Sequence, residues 1–105
     1  MTPAIAYVTA ADRDEALTIG REAVRSRLAA SANVIPGATS IYWWEGELRE
    51  SGEAILVLKT REDLVDALIA KVRSMHSYDC PCIVAWPLPN GHRPYIEWLL
   101  AETKA

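Results

Sequence analysis

His76, Asp79, Cys80 and Cys82 fall within seven residues, in the stretch HSYDCPC. One imidazole and two thiolates make a ligand set that copper and zinc favour. Cys80 and Cys82 flank Pro81, so both side chains can face one side of an extended segment. A metal reading therefore takes His76, Cys80 and Cys82 as ligands to Cu(II) or Zn(II), with the metal not required for folding. Recognised structural zinc motifs use C-x2-C pairs twice over, and one C-x-C with one histidine is a weaker signature. The plainer account points Cys82 into a sheet as a small hydrophobe and leaves Cys80 as an incidental loop thiol. As a disulfide the pair is poor, because an extended chain holds the two Cβ atoms too far apart. Free thiols fit a reducing compartment, and the expected location is the cytoplasm.

Other chemistry-bearing residues are few. His92, in NGHRP, reads as an exposed turn residue. Lys59 and Arg61 follow an apolar run and are either salt-bridge partners of nearby acids or contacts for an anionic effector. The carboxylates of EGELRESGE read as groups that solvate a hairpin tip. There is no G-x-S-x-G, no phosphate-cradling glycine loop and no H-E-x-x-H. With two histidines in the chain, the sole thiol–imidazole pairing is a cysteine beside His76. The expectation is a protein that is not an enzyme.

The elements that position these residues are legible from periodicity. PAIAYVT (3–9) reads as a strand. Asp12, three residues before Glu15, opens an amphipathic helix through residues 11–30, with Leu17, Gly20, Val24 and Leu28 on its apolar stripe and Gly20 at a close approach. IPGAT is a bend inside β-like chain. SIYWWEGEL and EAILVLKT form a hairpin about RESG. Thr60 caps a second helix, with Val65, Leu68, Ile69 and Val72 as its stripe. CIVAWPLP is a fourth strand, and Pro94 opens a short C-terminal helix. The order is βαββαβ plus a helix: an α+β, ferredoxin-like fold with one antiparallel sheet and two helices on one face. The 105 residues make one domain (1–105).

The run Tyr42-Trp43-Trp44 raises a packing problem. Successive strand side chains alternate between faces, so aromatic residues stand on both. In the return strand, Ile55 and Val57 lie opposite Ala54, Leu56 and Leu58. Two helices cover only one face of a sheet, so the other must meet water or another chain. Burial of one large aromatic is worth roughly 2 kcal/mol, and the expected resolution is self-association through Tyr42, Trp43, Trp44, Ile55 and Val57. A nucleobase platform would want basic neighbours, whereas the flanks carry Glu45, Glu47, Glu50 and Glu53. The net charge of −3 opposes a nucleic-acid or anionic-membrane partner. The start lacks a positive n-region and long apolar core, so no secretory signal is read, and no run approaches a membrane span.

LAASANVIPGATSIYWWEGEL, LVLKTRED, VRSMHSYDCPCIVAWPL and YIEWLL together resemble the CutA family, the divalent-cation-tolerance proteins, over nearly the whole chain. The resemblance implies a tight homotrimer in which long bent β2–β3 hairpins pair between ferredoxin-like subunits. It implies metal binding and a role in tolerance to copper and other divalent ions. Because the fold also resembles PII signalling proteins, a second reading is a sensor that takes a small anionic effector at an intersubunit cleft near Lys59, Arg61, Tyr78 and Trp44 and passes a signal to an unidentified protein partner. His76 and Tyr78 match family residues. Ser31 stands where the family usually has cysteine, HSYD stands for HPYE, and Cys82 replaces a glutamate.

Overall fold

The computed structural model describes residues 1–104. Strand β1 (Pro3–Ala10), helix α1 (Arg13–Arg25), strands β2 (Ser31–Trp44) and β3 (Glu47–Arg61), helix α2 (Val65–Met75), strand β4 (Ile83–Pro87) and helix α3 (Arg93–Glu102) follow in order, with a 3-10 turn (Glu62–Leu64) before α2. The strands form one sheet in the order β2-β3-β1-β4, with β1 antiparallel to both β3 and β4. This is the ferredoxin-like arrangement expected from the sequence.

Strand β1 alternates strictly. Ala4, Ala6, Val8 and Ala10 are buried, while Ile5, Tyr7 and Thr9 on the other face are half-buried. The buried set meets Ala54, Leu56 and Leu58 of β3 and packs under Ile19, Ala23, Leu68 and Val72 of the helices. Small residues dominate the α1 contact, so the helix sits close. A Cβ on Gly20 would stand 3.0 Å from Leu56 Cδ1 and 3.3 Å from the Cβ of Ala32, which bears out the close approach. The stripe is rotated from the one expected: Ala16, Ile19, Gly20 and Ala23 are buried, and Leu17, Val24 and Leu28 flank them half-buried. Close packing places the smallest side chains, not the largest, at the centre of the contact.

Helix α1 begins as the sequence indicates. Asp12 Oδ1 accepts from the Glu15 amide at 2.8 Å, and Glu15 Oε1 accepts from the Ala11 amide at 2.9 Å. It ends earlier, at Arg25, because Arg27 is left-handed (φ 66°) and the Leu28 and Ala29 amides both turn back to the Ala23 carbonyl.

Three expectations about the middle of the chain are corrected. The hairpin does not turn at RESG, which lies inside β3. It turns at Glu45-Gly46, where φ is 51° and 78°, the pair of positive angles of a type I′ turn. Pairing then runs from Trp44↔Glu47 back through Ala38↔Glu53, crosses a bulge between Ile35 and Ala38, and continues to Ser31↔Lys59. Thr60 is not a helix cap but a fully buried strand residue, whose hydroxyl donates to the Leu28 carbonyl at 2.6 Å. Buried Leu64 leads the α2 stripe of Leu68 and Val72, while Val65 and Ile69 lie at its margin.

Because β1 pairs with β3 only as far as Ala10↔Ala54, residues 38–53 project as a two-stranded arm. The open face of the sheet leaves Ile35, Val84 and Trp86 exposed.

Candidate functional site

Where the arm leaves the sheet, a cavity of about 580 Å³ opens. Its walls follow from strand alternation. Tyr7 and Thr9 of β1, Glu53 of β3, and Ser40, Tyr42 and Trp44 of the arm share the face that the helices do not cover. The loop between α2 and β4 closes the third side with Tyr78, Asp79, Cys80 and Cys82, and Arg49 reaches in from the arm. Trp43 points to the other side of the arm and is 72 % exposed. Of the residues expected at an interface, Tyr42, Trp44, Ile55 and Val57 therefore share the open side, and Trp43 does not.

The loop is pinned through His76. Its ring is wholly buried. The Tyr78 amide donates to Nδ1 at 3.1 Å, so Nε2 carries the proton and donates to the Thr9 carbonyl at 2.7 Å. The ring also packs against Tyr78, with centroids 4.8 Å apart. Glu15 completes the anchor: its Oε2 accepts from the Ser77 amide at 2.9 Å, and its Oε1 lies 3.9 Å from His76 Nδ1. Burial alone would raise the Glu15 pKa, but hydrogen bonds from Ser77 and Ala11 and the nearby imidazole outweigh it and hold the carboxyl below its ordinary value. Tyr78 in turn donates its hydroxyl to Glu53 Oε2 at 2.8 Å. Burial first, then the Glu53 carboxylate, raises the phenol's pKa.

These contacts redraw the expected ligand set. Both His76 nitrogens are engaged within the chain, which leaves no lone pair for a metal. No group of three His, Cys, Asp or Glu side chains converges with metal-binding geometry among the described residues. A closed cage inside one chain therefore does not fit. Cys80 and Cys82 are both free, exposed thiols on the same cavity, and they do fit an open site. Cys82 is thus not in the core, although its carbonyl, accepting from the Thr9 amide at 3.3 Å, extends the β1–β4 ladder.

Lys59 and Arg61 are not brought to Tyr78 and Trp44 within one chain. Lys59 lies six residues along β3 from Glu53, about 20 Å at strand rise, and bonds the side chain of Asn33. Arg61 pairs with Asp63 at 3.1 Å and donates to the Thr103 carbonyl. His92 is an exposed residue that precedes α3, its carbonyl accepting from the Ile96 amide. Two site residues were not singled out by sequence reasoning. Glu53 is half-buried against Tyr78 instead of solvating a hairpin tip. Glu15 carried a capping signal, but nothing in its spacing marks the second bond to Ser77.

The family model of the CutA1 divalent ion tolerance protein matches residues 4–102. The divalent-cation tolerance protein CutA of Thermus thermophilus is 39% identical over 99 residues, covering 94% of this chain and 96% of the relative. Its crystal structure superposes with a TM-score of 0.94 over 97% of this chain and 99% of that one, at 38% identity. The chloroplastic CutA 1 of Oryza sativa is 38% identical over 95% of this chain. This chain spans 56% of that relative's length, about half of the longer curated relatives it matches.

Proposed function

The chain belongs to the CutA1 divalent ion tolerance family, and from that premise we propose that it supports tolerance to divalent metal ions as a homotrimer that binds Cu(II) or Zn(II). The observation that carries the reading is the cavity at the root of the arm. It opens on an apolar face that no helix covers, and its rim holds the Cys80 and Cys82 thiols with the Glu53 and Asp79 carboxylates. One chain supplies too few converging donors for a closed site, and a neighbouring copy seated on the open face would narrow the cavity and bring further ones. Tolerance by sequestration needs no catalysed step, and no nucleophile–base pair is assigned. The free thiols support action in the reducing cytoplasm. No helix is long and apolar enough to cross a membrane. The sensor reading gains no support, since the two cations it relies on are engaged elsewhere in the chain.

Light scattering and titration calorimetry on the purified protein test the proposal together. The expected results are a trimer mass at micromolar concentration, and binding heat with Cu(II) and Zn(II) that nucleotides and small organic acids do not give. A monomer, or silence with both metals, overturns it.

A further inference from the structure

We propose that Cys80 and Cys82 form a two-thiolate site selective for a soft monovalent cation of the Cu(I) class. The inference deepens the metal-tolerance reading of the same cavity and rests on it.

Donor count comes first. Both thiols are free and line one cavity, and no third histidine, cysteine or carboxylate converges on them among the described residues. The nearest imidazole, His76, has both nitrogens committed to the Thr9 carbonyl and the Tyr78 amide. Zn(II) in a protein site takes four ligands in a tetrahedron, and Mg(II) or Ca(II) takes six or more oxygens. A thiolate-only site with low coordination selects a soft ion such as Cu(I).

Spacing comes second. Pro81 confines Cys80 to extended or polyproline backbone, so the two α-carbons lie about 6.6 Å apart at strand rise. A disulfide requires Cβ atoms about 3.5–4.5 Å apart, and the pair resists that closure. An ion with metal–sulfur bonds of about 2.3 Å lets its two sulfurs stand up to about 4.6 Å apart, a span that inward-leaning thiols at this separation reach. The sequence that makes a poor staple makes a good clamp. Surroundings come third. Asp79 and Glu53 carry negative charge on the same cavity, and Tyr42, Trp44 and Tyr78 wall it with apolar surface, which limits access of solvent to the bound ion. Ligation converts both thiols to thiolates and releases their protons.

The test uses the full chain under anaerobic conditions, with Cu(I) supplied as its bathocuproine disulfonate complex. Wild type is compared with Cys80→Ser, Cys82→Ser and the double variant, and Zn(II) and Cu(II) calorimetry runs in parallel. The thiols are exposed, so the variants are expected to keep the native tryptophan emission. Wild type should withdraw about one Cu(I) per chain and gain an ultraviolet thiolate-to-copper band. Each single variant should bind Cu(I) more than about 100-fold more weakly, beyond the usual effect of a lost outer-shell partner. Equal Cu(I) retention by the double variant overturns the site, and Zn(II) affinity matching that for Cu(I) overturns the selectivity. Calorimetric heat with divalent ions that persists while Cu(I) is ignored sinks this inference and leaves the tolerance reading standing. Silence toward all three metals removes both.

Discussion

Glu15 serves two ends of the chain at once. One carboxylate oxygen accepts the Ala11 amide and completes the start of α1, while the other accepts the Ser77 amide and holds the loop that carries Tyr78 to Cys82. Bonds to an ionised acceptor are worth about 1.5–3 kcal/mol each, and an amide left unsatisfied costs about 1–3 kcal/mol. Glu15→Ala is therefore expected to destabilise the protein by about 2 kcal/mol or more in urea unfolding at fixed protomer concentration. The pH dependence has a definite sign. The folded carboxyl lies below its ordinary value of 4.5, so its stabilisation is complete above that pH and is lost as pH falls through the folded value. The advantage of wild type over Glu15→Gln should hold at pH 7 and shrink below about pH 4.5. A difference that stays constant to pH 3 would show that the charge contributes nothing. The capping role of Glu15 was legible in its spacing from Asp12. Its second bond depends on a loop sixty-two residues away, and no local pattern encodes such a contact. The same holds for His76, which reads in sequence as a metal ligand and folds as a buried crosslink.

At the scale of elements, sequence and structure agree wherever one face of an element is buried. β1, the inner half of β3 and both sheet-covering helices announce themselves through periodicity, because a core demands apolar side chains at fixed intervals. The arm obeys no such demand. Arg49, Glu50 and Gly52 are exposed strand residues, so RESG carries the composition of a turn while it lies in an extended ladder. The real turn, Glu45-Gly46, is decided by backbone sterics instead. With φ of 78° at Gly46, an alanine there would pay the left-handed penalty of about 1–2 kcal/mol. Gly46→Ala should speed hydrogen exchange of the arm-tip amides by about 5- to 30-fold and leave the β1 amides at their original rates. Uniform protection across arm and sheet in the variant would show that the tip does not open independently.

The whole molecule is less compact than its length allows. Its accessible surface is 6416 Å², against roughly 5,800 Å² for a compact monomer of 11.6 kDa. Its radius of gyration is 14.1 Å, against about 12.9 Å for a chain of this length. The excess lies in the arm and the open face, where Ile35, Ile41, Trp43, Val84 and Trp86 are exposed. The two-faced apolar hairpin was readable from the sequence, and a single chain leaves it uncovered. Val84 separates the stability of the chain from that of an assembly. At 51% exposed, it contributes little to the fold of one subunit, so Val84→Glu should leave far-ultraviolet dichroism unchanged. A face packed against other copies would have to bury that carboxylate without a partner, at a cost of several kcal/mol. The variant is then expected to lower the mass seen by light scattering to that of one chain and to increase quenching of the tryptophans by iodide. A variant that keeps the wild-type mass and quenching would place Val84 outside any contact between copies and leave the open face of the sheet without the role argued for it.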